Sequence, residues 1–185
     1  MQNFIYLASK SPRRRELLRA YGWEPQVLSD PSEPRGWFAG DEELPGETPA
    51  DYVLRTAVTK LMDGIAARNE LDNPCMDAPV LAADTVVSLG GKILGKPRDL
   101  EEAARFMREL SGRTHEVRTA VAVGRSREDY RALVVLSRVT MRPISEEEIG
   151  RYVMTDEPYD KAGGYGIQGL AGLFVQSVAG SYTGI

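Results

Sequence analysis

The chain has 185 residues, 42% of them hydrophobic, enough to bury a sizeable core as one large or two small lobes. Its 23 lysines and arginines are outnumbered by 27 aspartates and glutamates, and the net charge of −4 excludes a general basic field for DNA or RNA, so any phosphate binding has to be local. No apolar run approaches the roughly 18 residues needed to span a bilayer, and the N-terminus soon turns polar and basic, so a cytoplasmic protein with no membrane partner is expected.

Phe4 to Ala8 is a short apolar run that predicts a strand. Ser11 is a favoured N-cap, and Pro12 suits the first helical position, where its missing N–H would have had no partner, so a helix is expected to begin at Pro12. Arg13, Arg14 and Arg15 then crowd the positive end of the helix macrodipole, at a cost of about 0.3–1 kcal/mol each. Two readings stay open. Exposed N–H groups, the hydroxyls of Ser9 and Ser11 and several guanidiniums at a strand-to-helix turn suit a phosphate, or the turn is merely solvated and paired with Glu16.

Trp23 to Leu28 suggests a second strand, and Asp30 to Gly36, rich in proline and charge, breaks it. Thr48-Pro49-Ala50-Asp51 opens a helix whose apolar stripe is expected to be Leu54, Ala57, Val58, Leu61, Met62 and Ile65. Lys60 sits beside that stripe. It either reaches from the core edge toward a cleft or covers apolar surface with its stem. Cys75 is the single cysteine and has no internal disulfide partner, and its acidic surroundings disfavour a thiolate, so it is expected to be a bystander.

Val80 to Leu89 is nearly all apolar, and Gly90-Gly91 can supply the positive φ angles of a tight hairpin before Lys92-Ile93-Leu94. Asp84 lies inside that run. An ionised carboxylate there would cost several kcal/mol unless hydrogen bonds or a cation compensate it, which makes Asp84 a functional candidate.

Asp99 with Glu102 reads as a capping pair for a helix with the stripe Leu100, Ala103, Ala104, Met107 and Leu110, ended by Gly112. His115 to Val123 and Leu133 to Arg142 alternate as an antiparallel pair of strands should, with Val135, Ser137, Val139 and Met141 opposite Arg138, Thr140 and Arg142. Ser145-Glu146-Glu147-Glu148 opens another capped helix through Ile149, Tyr152 and Val153. A glycine-rich loop from Asp156 to Gly169 follows, and Leu173 to Val178 is expected to be the last strand. Helices mixed with paired and single strands, without regular repetition, predict an α/β fold with a mixed twisted sheet.

Three decoys fall away. Gly90 to Lys96 has the spacing of a Walker A loop, but Pro97 stands where a magnesium-binding Ser or Thr is required. Gly164 to Gly169 matches a dinucleotide fingerprint, yet no strand leads into it and no acidic residue follows. The only histidine, His115, rules out a multi-histidine metal site and is expected to be structural.

What survives is Ser9, Ser11, Arg13 and Arg14 at a helix start, Asp84 with Thr85 in a buried strand, Lys60 and Lys96 as flexible cations, and a loop bearing Asp160, Lys161 and Gln168. This set suits a polyphosphate. Asp84 and an acid such as Glu33 offer hard oxygen ligands to a divalent metal cation, Mg²⁺ or Mn²⁺.

These residues resemble the Maf family of nucleoside triphosphate pyrophosphatases. The likeness lies in Leu7-Ala8-Ser9-Lys10-Ser11-Pro12-Arg13-Arg14, Ala83-Asp84-Thr85-Val86-Val87, Gly95-Lys96-Pro97-Arg98-Asp99, Leu110-Ser111-Gly112-Arg113-Thr114-His115 and Asp160-Lys161-Ala162-Gly163-Gly164-Tyr165-Gly166-Ile167-Gln168-Gly169, in family order. It covers almost the whole chain, 1–185 as one domain, and implies a two-lobed α/β fold flanking a deep cleft, of the Maf and inosine-triphosphatase-like kind. The implied activity is metal-dependent hydrolysis of a nucleoside triphosphate to monophosphate and pyrophosphate, with clearance of modified nucleotides as a further expectation. Carried over, Asp84 is the general base and a metal ligand, and Arg13, Thr85 and Gln168 fall at positions associated with base choice. The branch acting on 7-methyl-GTP typically has Trp, Gln and Glu there, so this chain resembles the dTTP and UTP branch. Charge growing on the phosphates would be met by the metal, Arg14, Lys60 and Lys96, and Thr85 and Gln168 can donate and accept toward a pyrimidine.

The chain departs from the family pattern twice. Adjacent acids usually follow the second strand, whereas here Glu33 precedes an insertion through Gly36 to Asp41, which leaves Glu33 as the expected metal ligand with Glu42 or Glu43 as the fallback. The family also continues past its last strand with an Asn-Val-Val-Gly-Leu-Pro segment and a closing helix, whereas this sequence ends Ser181-Tyr182-Thr183-Gly184-Ile185. Two rival readings stay open: a non-catalytic nucleotide-binding regulator of cell division, which an intact Asp84 argues against, and a nucleotide kinase, which Pro97 disfavours. The sequence leaves open whether two chains pair as a homodimer.

Overall fold

The computed structural model describes residues 3–28 and 42–185, so the Asp30 to Gly36 turn and the expected ligand Glu33 lie outside the described residues. The elements are β1 (Asn3–Ala8), α1 (Pro12–Ala20), β2 (Trp23–Val27), α2 (Pro49–Asn69), β3 (Val80–Leu89), β4 (Lys92–Leu94), α3 (Leu100–Leu110), β5 (Thr114–Gly124), β6 (Tyr130–Met141), α4 (Glu146–Val153), three single 3₁₀ turns and β7 (Val175–Ala179). The strands follow the order β2-β1-β3-β5-β6-β7, with β4 added to β3. β1 runs parallel to β2 and β3, and β4 and β7 run antiparallel to β3 and β6, which makes the sheet mixed as expected. Arg125 N–H donates to the Asp129 carbonyl at 2.9 Å and the Thr114 and Thr140 hydroxyls meet at 2.8 Å, the register of an antiparallel β5 and β6.

The chain divides into two compact units. The first comprises Met1–Glu47, Asp51–Asp84 and Ala120–Val134. Its centre is β1, where Ile5, Tyr6, Leu7 and Ala8 are all buried. Gly64 lets α2 lie directly on this sheet, because a Cβ there would stand 2.6 Å from the Ala8 Cβ and 3.0 Å from Val80 Cγ1. The buried face of α2 is Val53, Thr56, Ala57, Leu61, Gly64, Ile65 and Arg68. The expected stripe is therefore corrected: Leu54 is exposed and Val58 and Met62 are half-buried, a rotation of the helix by about one residue. Gly64 permits the close approach, and the polar side chains on this face find partners. Arg68, fully buried, donates to the carbonyls of Ala78 at 3.3 Å and Arg125 at 2.9 Å.

The second unit comprises Thr48–Ala50, Thr85–Thr119 and Val135–Ile185. Its core gathers Val87, Leu94, Met107, Leu110, Val117, Val139, Met141, Ile149, Tyr152 and Phe174. Gly90 and Gly91 take φ of 59° and 85° in the hairpin between β3 and β4, so the Walker-like spacing is a turn, as expected. The Asp99 side chain accepts the Glu102 N–H, and Ser145 with Glu148 forms a complete capping box on α4. Glu102 does not reach back to Asp99; its carboxylate accepts instead from Arg98, N–H at 3.0 Å and guanidinium at 2.8 Å. The last strand starts at Val175 and not at Leu173, because Leu170–Phe174 coils into a 3₁₀ turn that buries Ala171 and Phe174.

His115 is 1% exposed, its Nε2 lies 2.6 Å from the Tyr165 hydroxyl, and their rings meet edge to face. Burial alone pushes its pKa down to about 4, so the ring is neutral at ordinary pH, in line with its structural assignment.

Candidate active site

The residues singled out from the sequence form two groups, one in each unit. In the first unit, α1 begins at Pro12 with three arginines and no acid in its first turn. The Ser11 side chain makes no capping bond. Ser9 organises this turn instead: its Oγ accepts the Ser11 N–H at 3.3 Å and Arg14 Nη1 at 3.1 Å. The same Nη1 donates to the Ala83 carbonyl at 2.7 Å, so Arg14 folds away from solvent onto the strand that carries Asp84. Burial lowers the Arg14 pKa from the ordinary guanidinium value, the charge of Asp84 raises it, and Arg13 lowers it further. Arg13 stays exposed.

Asp84 stands where β3 leaves the first unit. One carboxylate oxygen, Oδ1, pairs with Lys60 Nζ, and Oδ2 accepts from Thr56 Oγ1 at 3.0 Å. The Lys60 and Asp84 side chains are only 12% and 15% exposed, so each charge depends on the other for compensation. Lys60 thus directs its ammonium at the Asp84 carboxylate. Thr56 and Lys60 are four residues apart on α2, which places both on the sheet-facing side of the helix.

In the second unit, the Thr85 hydroxyl lies 2.8 Å from that of Thr119 on β5. Lys96 is exposed beside Gly95, whose carbonyl accepts the Gly163 N–H at 2.9 Å and so ties the Gly-Lys-Pro turn to the glycine-rich loop. Gly163 has φ of 70°, and a Cβ there would stand 2.9 Å from Val87 Cγ1, so the residue is required on both counts. Asp160 is exposed and pairs with Lys161, which also donates to the Glu157 carbonyl at 3.2 Å. Gln168 is exposed, with Nε2 donating to the Ile185 carbonyl at 3.2 Å.

The first group sets a carboxylate among cations and hydroxyls, an arrangement able to hold phosphate oxygens and accept a proton. Among the described residues no three His, Cys, Asp or Glu side chains gather as a metal site. Mg²⁺ nevertheless takes one or two carboxylates and fills its sphere with substrate phosphates and water, a donor set that Asp84 fits. The fallback acids Glu42 and Glu43 are exposed. Sequence reasoning missed Thr56, Thr119 and Glu157. The four-residue spacing from Lys60 could have flagged Thr56; for the other two no local signal exists, since their partners come from other strands and turns.

A family model described as Maf-like protein matches residues 4–185. A dTTP/UTP pyrophosphatase of Bordetella parapertussis is 50% identical over 186 residues, covering 98% of this chain and 84% of that protein. One of Dechloromonas aromatica is 47% identical over 183 residues, covering 98% and 89%. Among solved structures, the Ham1 protein of Staphylococcus aureus is similar with a TM-score of 0.48 and 14% identity, over 75% of this chain and 72% of that one.

Proposed function

We propose, because this chain belongs to the Maf-like protein family, that it is a nucleoside triphosphate pyrophosphatase that hydrolyses dTTP and UTP to the nucleoside monophosphate and pyrophosphate. Relatives that are 50% and 47% identical over nearly the whole chain bear that activity in their names. The observation that carries the reading is Asp84, a carboxylate held inside an apolar strand by Lys60 and Thr56, one residue from the carbonyl that holds Arg14.

In the proposed reaction a water oxygen attacks the α-phosphorus, and the bond from that phosphorus to the oxygen bridging to the β-phosphate breaks. Pyrophosphate leaves with the electron pair. Asp84 accepts the proton of the attacking water and passes it to solvent, a contribution of about 10²–10⁴-fold for a well-placed base. Arg14, Lys60 and Lys96 meet the charge that develops on the phosphate oxygens. Ser9, Ser11 and Arg13 hold the triphosphate, Asp160 and Lys161 complete the binding set, and Thr85 and Gln168 meet the pyrimidine edge, where each can donate and accept. Asp84, with Glu33 as second carboxylate, would hold Mg²⁺ or Mn²⁺, which when bound neutralises charge on the triphosphate. The reaction is assigned to the cytoplasm, on free nucleotides. Separately, among the described residues no helix is long and apolar enough to cross a membrane.

Purified protein incubated with a nucleotide panel and Mg²⁺ or Mn²⁺ tests this. Pyrophosphate and monophosphate from dTTP and UTP are expected, and EDTA should abolish their release. Orthophosphate with a nucleoside diphosphate would overturn the proposal, as would tight nucleotide binding without turnover, the mark of a regulator.

A further inference from the structure

Gln168 is exposed, between the short 3₁₀ turns Ala162–Gly164 and Leu170–Phe174. The Glu157 side chain fastens the second of them. The Glu157 carboxylate accepts the Leu170 N–H at 2.7 Å on Oε2 and the Ala171 N–H at 3.1 Å on Oε1, clamping the backbone directly after Gln168 and Gly169. The Tyr152 hydroxyl, 3.1 Å from Glu157 Oε1 and 3.2 Å from the Gly164 carbonyl, links that clamp to the start of the same loop.

The glycines fit around this carboxylate. A Cβ on Gly169 would stand 2.2 Å from Glu157 Oε2, and one on Gly166 would stand 2.9 Å from the Lys161 side chain, whose Nζ donates to the Glu157 carbonyl. Glu157 thus touches the loop through its carboxylate beyond Gln168 and through its carbonyl at Lys161. Hydrogen bonds from backbone N–H to an ionised carboxylate are about twice as strong as neutral ones, which suits a part that must hold a loop still.

We propose that Glu157 is the positioning residue for Gln168: it fixes the 170–171 backbone and with it the point from which the Gln168 side chain, whose Nε2 rests on the Ile185 carbonyl, reaches the pyrimidine. This rests on the reading of Gln168 as the residue that meets the base. Glu157 does not touch substrate and acts only through the loop.

The test is a double-mutant cycle with Glu157→Ala, Gln168→Ala and the pair, measuring kcat and KM for dTTP, UTP and dATP. Glu157→Ala should lower kcat/KM for dTTP by about 10–10²-fold, as a displaced positioning group does. The change should lie mainly in KM, and the preference for dTTP over dATP should narrow. In the Gln168→Ala background the same change should cost almost nothing further, and Glu157→Gln, which keeps one acceptor oxygen, should recover part of the loss. A full additional penalty in the Gln168→Ala background overturns the proposal, as does an equal fall in kcat for every nucleotide. If Gln168→Ala itself leaves base preference untouched, the assignment of Gln168 to the base fails instead. Should Glu157→Ala not fold, the isosteric Glu157→Gln carries the same cycle.

Discussion

Lys60 and Asp84 stand 24 residues apart in the chain and meet as an ion pair, one from the middle of α2 and one from the middle of β3, with both side chains mostly withdrawn from water. The pair exists because α2 rests on the sheet at Gly64, which directs the Thr56 and Lys60 side chains at the strand. Removing either partner leaves an uncompensated charge at the core edge, a loss of about 3–5 kcal/mol for a buried pair and less for one that keeps some solvent.

Asp84→Asn keeps the shape and withdraws the charge. Turnover of dTTP is expected to fall by about 10²–10⁴-fold while the circular dichroism spectrum stays that of the parent. Full turnover in this variant would remove Asp84 from the role of base.

Thr56→Val takes away the hydroxyl 3.0 Å from Asp84 Oδ2 without opening a cavity. A net hydrogen bond of about 1 kcal/mol corresponds to roughly a fivefold fall in kcat, and Thr56→Ser should restore it. The same hydroxyl lies 2.9 Å and 3.1 Å from the Tyr52 and Val53 carbonyls. An unchanged kcat would show that it serves only the helix.

Gly64→Ala drives a methyl into Ala8 and Val80, where the space is 2.6 Å and 3.0 Å. Overpacking of this kind costs about 1–3 kcal/mol, so the Tm should drop by several degrees. Because Ala8 adjoins Ser9, KM for dTTP should rise as well. A Tm equal to that of the parent would mean that α2 can lift from the sheet without penalty.

His115 links stability to pH. Its pKa is about 4 in the folded protein against 6.5 for an unperturbed ring, so between those values the unfolded chain binds the proton and the folded one does not. Stability is fully present above about pH 6.5, falls as the pH drops toward 4, and loses nothing further from this group below that, on the order of 3 kcal/mol in all. Urea midpoints at pH 7 and pH 5 check the sign. His115→Gln should be less stable at pH 7 and flatter across that window; an unchanged slope would assign the effect to other groups.

Local chemistry made much of the molecule legible in advance. The Gly90-Gly91 hairpin, the Ser145 capping box, the start of α1 at Pro12 and the period-two alternation ending at Met141 each depend on residues a few positions apart. Asp84 could be singled out because a carboxylate inside an apolar strand needs compensation wherever that strand lies. The sequence points to the Ser11 hydroxyl as the cap of the first turn, whereas the Ser9 hydroxyl organises it and Ser11 makes no capping bond, because the outcome depends on Arg14 reaching the Ala83 carbonyl, 69 residues onward. The start of β7 was misplaced for the same kind of reason: Glu157 holds Leu170 and Ala171 in a coil that their own side chains do not announce.

The sequence by itself determined the helices, most of the strand bounds and the mixed α/β class, and it singled out Asp84, since propensity, capping and the cost of a buried charge are properties of short segments. Only the tertiary structure decided which side of α2 faces the sheet, and therefore that Thr56 and Lys60 compensate Asp84. The stripe of apolar residues on that helix is broad enough to allow a rotation by one position. What selects among the rotations is the contact of Gly64 with Ala8 and Val80, a steric fact about two segments that exists only once they are packed.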